Sequence, residues 1–206
     1  MSVNVSTAEF ETIFPTFLMR HDDDEATALN AELERLILDE AGAVEDPGIF
    51  TNVGGWHSPK TYQSSEQEAV RTLMQRFLDL ADEVMRRAGS TDHPGFEIEA
   101  WANVNGEMHY NEMHCHRGCI WSGVYYVAVP DHCTDEPLKG AIEFLDPRPA
   151  AILVGLPGAA FEVRKYIAPR PGRMLLFPSW LQHMVHPFRD PGRRISVACN
   201  LMFSDS

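Results

Sequence analysis

Three histidines stand where their spacing could converge on a metal ion. His114 and His116 are two apart in Tyr110-Asn111-Glu112-Met113-His114-Cys115-His116, and on an extended chain residues i and i+2 share one face. His183 closes Phe177-Pro178-Ser179-Trp180-Leu181-Gln182-His183 and offers a third imidazole from a separate strand, with His186 three residues on as its competitor. Imidazole serves iron, zinc, copper and nickel alike, so the trio announces a metal without choosing it. Further along, Ile195, Val197, Cys199, Leu201 and Phe203 alternate with Arg194, Ser196, Ala198, Asn200 and Met202. One face of such a strand packs in a core and the other presents a guanidinium, a hydroxyl and an amide. A guanidinium fork takes a carboxylate through two parallel hydrogen bonds, and a hydroxyl beside it adds a donor. A metal next to a carboxylate clamp implies an anionic co-substrate.

The elements that must position these groups change character near residue 95. Before it, Ala26, Leu29, Leu33, Leu36 and Ile37 recur at helical spacing over 24–42, with Gly42 as the expected stop. A second helix is expected over 65–87, with Ser65 and Glu68 as a capping box, Val70, Leu73, Phe77, Leu80 and Val84 as its apolar face, and Gly89 as its end. The run Asp22-Asp23-Asp24-Glu25 reads as a solvated helix start. After residue 95, short apolar or alternating runs separated by Pro, Gly and Asp predict strands over 96–104, 120–129, 141–145, 161–167, 173–177 and 194–203. The fold class is therefore α+β, mainly β with N-terminal helices: a sandwich, jelly roll or barrel. One domain over 1–206 is expected, a helical part (1–95) packing on a β-core (96–206).

With 17 Lys and Arg against 30 Asp and Glu, the net charge of −13 repels phosphate backbones, so nucleic acid is not an expected partner. A local cluster of Arg170, Arg173, Arg193 and Arg194 could still hold a small anion. No apolar stretch approaches the roughly 18–20 residues of a spanning helix, and Met1 to Pro15 lacks a basic head, so a cytoplasmic protein is expected. Cys115, Cys119, Cys133 and Cys199 show no CxxC pair and fit reduced thiols, with Cys115 expected to be buried. Oligomeric state stays open, a homodimer included.

In combination, Trp101-Ala102-Asn103, His114-x-His116, Ser122-Gly123-Val124-Tyr125-Tyr126-Val127, Phe144-x-Asp146-Pro147-Arg148, Pro171-Gly172, Phe177-Pro178-Ser179-Trp180-Leu181-x-His183 and Arg194-x-Ser196-x-Ala198-x-Asn200 resemble the 2-oxoglutarate and Fe(II)-dependent oxygenases of bacteria and phages. Ile13-Phe14-Pro15 and Gly54-Gly55-Trp56 extend the likeness toward the N-terminus. The resemblance implies a double-stranded β-helix (a cupin-like jelly roll) holding Fe(II) and 2-oxoglutarate, and hydroxylation of an unactivated C–H bond of a small molecule with release of succinate and CO2. It implies His183 rather than His186 as the distal ligand, and Arg194 with Ser196 as the grip on the far carboxylate, with Tyr125 and Asn103 as further co-substrate contacts. The family's usual His-x-Asp or His-x-Glu is His114-x-His116 here. Three readings stay open: both histidines ligate; His116 ligates with Gly118 in the carboxylate position; or Glu112 supplies the carboxylate. A three-His cupin-type dioxygenase without 2-oxoglutarate and a non-catalytic jelly-roll binding module are the rival functions. Loops 131–139 and 149–160 are expected to shape the substrate pocket.

Overall fold

The computed structural model describes residues 9, 11–44, 51–90, 92–133, 138–153 and 162–204. Its strands are β1 (Met19–Asp22), β2 (Asn52–Val53), β3 (Trp56–His57), β4 (Phe96–Asn105), β5 (Tyr110–His114), β6 (Trp121–Ala128), β7 (Ile142–Leu145), β8 (Arg164–Ile167), β9 (Arg173–Pro178), β10 (His183–Val185) and β11 (Arg194–Phe203). Helices α1 (Thr27–Ala43) and α2 (Glu68–Arg87) precede β4. The strands form two antiparallel sheets, one ordered β1-β9-β6-β11-β4-β3 and the other β2-β5-β10-β7-β8. This is the jelly roll expected from the sequence, with the helices laid on the outside of the larger sheet.

Period-two alternation gives each strand of that sheet two environments. Ile195, Val197, Cys199 and Leu201 of β11 pack with Ala100 and Ala102 of β4, Tyr125 and Val127 of β6, Leu33 and Ile37 of α1, and Leu73, Phe77 and Val84 of α2. Each fully buried Leu, Ile or Phe stabilises by roughly 1.5–3 kcal/mol, so this layer seats the sheet firmly. The opposite face looks between the sheets, where Tyr126, Ile142, Phe144, Leu175 and Phe177 form a smaller core and leave a cavity beside it.

Several local expectations change. Helix α1 runs through Gly42 to Ala43 and stops at Val44, whose N–H still bonds Glu40 O while its own backbone is extended. Helix α2 starts at Glu68: the Ser65 hydroxyl accepts the Gln67 N–H at 3.2 Å, too early for a capping box. Gly89 does end it, at φ +84°, where the Ser90 N–H reaches back to Met85 O. The acidic run is not a solvated helix start. Asp22 lies in β1 and receives both Arg173 Nε (2.6 Å) and Nη2 (2.8 Å), Asp23 pairs with Arg76, and Asp24 with Arg170. Those pairings also disperse the expected basic cluster, because Arg170 and Arg173 are neutralised at this edge while Arg194 is buried elsewhere. Short strands β1, β2, β3, β5 and β10 were not among the expected ones. Residue 161 of one expected strand, and residues 134–137 and 154–160 of the two pocket loops, lie outside the described residues.

Candidate active site

Strand β10 lies between β5 and β7, with His183 opposite His114 on one side and Phe144 on the other. The His114 and His183 ring centroids are therefore 4.3 Å apart. His116 follows the end of β5, its N–H held by Ser179 O at 2.9 Å, and its ring is 5.0 Å from His114 and 5.3 Å from His183. One ring nitrogen from each of the three lies within 4.8 Å of the other two, and among the described residues no carboxylate or thiol joins them.

The protonation chemistry suits a metal. His114 Nδ1 donates to Glu112 O at 2.6 Å and His183 Nδ1 to Leu181 O at 2.9 Å, which in the neutral ring leaves the Nε2 lone pair free to ligate. Burial pushes His183 down to about 3 and His116 to about 4, and lowers His114 as well, so all three rings are neutral at physiological pH. Phe177 and Phe144 pack on His183 at 4.8 and 6.0 Å and shield it from water. Glu112 is exposed and outside the cavity lining, and so is Gly118, which holds φ +77° in the following turn. His186 turns away to Glu143, its Nε2 2.6 Å from Oε2. Cys115 is exposed rather than buried, because β5 ends at His114 and strand alternation ends with it.

The same cavity, about 400 Å³, is lined by Asn103 and Trp101 of β4, Tyr126 of β6, and Arg194, Ser196, Ala198 and Asn200 of β11. Arg194 is 2% exposed, and its Nη1 donates to Gly140 O (3.0 Å) and His186 O (3.3 Å). Among the described residues no carboxylate pairs with it, and burial lowers its pKa. A buried guanidinium without a counter-charge is costly unless a ligand supplies one. Directly across the sheet from it, Asn105 is fully buried and neither amide atom has a hydrogen-bond partner. An anion entering the cavity would supply the counter-charge that Arg194 lacks among the described residues. The Arg194 contact with His186 O puts the guanidinium three residues beyond His183, about 10 Å along the strand, a span that suits a five-carbon dicarboxylate chelating a metal at one end. Fe(II) and 2-oxoglutarate thus fit the donors present.

Of the residues expected to touch the co-substrate, Arg194, Ser196 and Asn103 reach the cavity and Tyr125 does not. Its side chain is on the helix side of β6, where its hydroxyl donates to Asn30 Oδ1 of α1 at 2.7 Å. Alternation gives the inward position to Tyr126, whose hydroxyl burial pushes up to about 12. Glu99 and Trp101 were findable by counting back in twos from Asn103. Lys60, Asn52 and Asn111 were not, since only long-range pairing brings them in.

Facing antiparallel sheets define a jelly-roll protein, and the histidine cluster between them, beside a cation with no carboxylate partner among the described residues, could hold a metal ion. Residues 99–200 match the family model described as "Putative 2OG-Fe(II) oxygenase", and the chain belongs to that family of 2-oxoglutarate-dependent oxygenases, with Fe(II) as cofactor and 2-oxoglutarate as co-substrate. Ile13-Phe14-Pro15 and Gly54-Gly55-Trp56 lie outside the matched stretch. No curated protein matches the chain. Among solved structures it is similar to a Pseudomonas putida prolyl-4-hydroxylase (14% identity, TM-score 0.63, covering 91% of this chain and 93% of that one). It is also similar to a Trichoplax adhaerens prolyl hydroxylase in complex with a hypoxia inducible factor peptide fragment (14%, 0.66, 90% and 83%). A third is HygX of Streptomyces hygroscopicus with nickel, 2-oxoglutarate and hygromycin B bound (15%, 0.62, 92% and 84%). At these identities the likeness speaks for the fold. Among the described residues no helix is long and apolar enough to cross a membrane.

Proposed function

We propose that His114, His116 and His183 together hold Fe(II), that Arg194 with Ser196 and Asn103 holds the far carboxylate of 2-oxoglutarate, and that the enzyme hydroxylates an unactivated C–H bond of a small molecule. The observation that carries this reading is the buried, unpaired Arg194 guanidinium in the same cavity as the three neutral imidazoles. Bound Fe(II) supplies the redox chemistry that puts one atom of dioxygen into succinate and the other into the substrate C–H bond, two electrons coming from decarboxylation to CO2 and two from that bond. The protein's own residues prepare this. The carbonyls of Glu112 and Leu181 orient His114 and His183 and hold their protons on Nδ1. Arg194 meets its counter-charge only when the co-substrate arrives, and Phe144 and Phe177 keep water from the His183 side.

Anaerobic titration of the Fe(II)-loaded protein with 2-oxoglutarate tests the reading. A saturable visible charge-transfer band is expected as the keto acid chelates the iron. No band, with iron demonstrably bound, would sink it.

A further inference from the structure

The cavity has a second charged end. Asn200 shares a strand face with Arg194 but lies six residues along β11 (200 − 194), about 20 Å away. Lys60, Glu99, Trp101 and Arg117 line the cavity with it. Lys60 Nζ is 2.9 Å from Glu99 Oε2 and 4.6 Å from the centre of the Trp101 ring. Asn200 Nδ2 also approaches Glu99 Oε2, at 3.5 Å. Trp101 stacks on buried His57 at 5.6 Å, and its ring lies 6.0 Å from that of His116. Neither the three-histidine site nor the Arg194 clamp uses these charges.

Stability explains them poorly. The Lys60 and Glu99 side chains keep 34% and 37% of their surface exposed, and a pair that open contributes at most about 1 kcal/mol. Its partners can therefore exchange at little cost. What the wall offers a ligand is both signs: the Lys60 cation beside the Glu99 carboxylate, with Arg117 as a second cation elsewhere on the same cavity lining. A simple anion would face Glu99, and a simple cation would face Lys60 and Arg117. An α-amino acid carries its ammonium and carboxylate on one carbon and satisfies both at once, in charge-assisted hydrogen bonds.

We infer that the primary substrate is a free α-amino acid, its carboxylate against Lys60 and Arg117, its ammonium against Glu99, and its side chain extending over Trp101 toward His116. The head group is then one aromatic ring's width from the metal ligands, so oxidation falls on a carbon of the side chain and not on Cα. The reaction balances as one C–H bond of that side chain becoming C–OH while 2-oxoglutarate and dioxygen become succinate and CO2. This rests on the assignment of the three histidines and Arg194.

The test is anaerobic calorimetric titration of the protein loaded with Fe(II) and 2-oxoglutarate, using each of the proteinogenic L-amino acids and then the 2-hydroxy acid counterpart of the tightest binder. At least one amino acid should bind, raise succinate release in air and gain one oxygen atom in its side chain. Glu99→Gln should weaken that amino acid about tenfold or more and leave its hydroxy acid counterpart, which has no ammonium, unaffected. Lys60→Met should weaken both. Thermal unfolding of each variant checks that it is folded. If no amino acid binds, or if Glu99→Gln weakens the amino and hydroxy acids equally, the inference is overturned. The charge-transfer band of the same sample, recorded before titration, separates the two failures. Its absence counts against the co-substrate assignment, and its presence without amino-acid binding counts against the substrate class alone.

Discussion

Replacing Arg194 by Met removes the cation while leaving an unbranched apolar side chain in its place. In the ligand-free protein the change deletes the hydrogen bonds from Nη1 to Gly140 O and His186 O, about 1.5–3 kcal/mol each for a charged donor. Against this, it relieves the burial of a guanidinium that has no carboxylate partner among the described residues, worth several kcal/mol in its own right. The two effects oppose, and the unfolding free energy should move by less than about 2 kcal/mol. With 2-oxoglutarate the balance differs, because its far carboxylate would now be buried without a partner. That costs about 2–5 kcal/mol, or roughly thirtyfold to several thousandfold in affinity. The assay is the anaerobic charge-transfer titration with iron content measured separately, and with urea unfolding of the ligand-free protein alongside. Iron should bind as before while the 2-oxoglutarate midpoint rises at least thirtyfold. A midpoint within about threefold of the unsubstituted protein refutes the clamp.

Other substitutions probe the remaining assignments. His183→Ala should abolish Fe(II) binding, measured by metal content after desalting, whereas His186→Ala, which loses the contacts to Glu143 and to the Tyr166 ring, should keep the metal. Tyr125→Phe breaks the bond to Asn30 and should cost about 0.5–1.5 kcal/mol of stability with unchanged 2-oxoglutarate affinity. Tyr126→Phe should instead weaken the co-substrate about three- to tenfold, and the reverse pattern would restore Tyr125 as the contact. The hydrogen bonds from Arg173 hold the Asp22 carboxyl below its usual value, so the folded state takes up that proton less readily than the unfolded chain. Its stabilisation is therefore complete above about pH 4 and is lost as the pH falls through the lowered folded value. Asp22→Asn should be less stable at pH 7 by about 1–2 kcal/mol and should show a shallower loss between pH 4 and 2 in urea unfolding; an equally steep loss would exclude Asp22 as its source.

What could be read beforehand follows the range of the forces involved. Strand β11 was legible to the residue because Arg194, Ser196 and Asn200 fall on one side of it and Ile195, Val197, Cys199 and Leu201 on the other, which leaves one assignment of faces. Helix α2 was legible from its apolar stripe, but its start was not, since Ser65 and Glu68 match a capping box that the backbone bypasses. Strands β2, β3 and β10 have two or three residues each, too few for any period, and exist only because a neighbouring ladder captures them. The misplaced Tyr125 shows the cost of a one-residue choice in Tyr125-Tyr126. Both are aromatic and buried, and only the register that sets Val197 opposite Tyr125 decides which looks inward.

The two ends of the cavity differ in how they are held, and that difference bears on what each can do. Arg194, Ser196 and Asn200 sit on β11, which is paired with β4 along its whole length and with β6 along most of it, deep inside the larger sheet. Behind it, Gly123 of β6 lies so close to the helix layer that an added Cβ would come within 2.9 Å of Phe77 and 3.0 Å of Cys199 Sγ. A site on such a strand keeps its geometry when ligands come and go. Lys60 instead comes from the connection between β3 and α2, and its side chain is anchored by the half-open contacts with Glu99 and Trp101. The end proposed to hold the co-substrate thus sits on a fixed strand, with a charge that has no carboxylate partner among the described residues, while the opposite end can rearrange its ion pair around an entering head group. An oxygenase needs this division, because one carboxylate must be gripped identically in every turnover while the second molecule must be admitted after it and released changed.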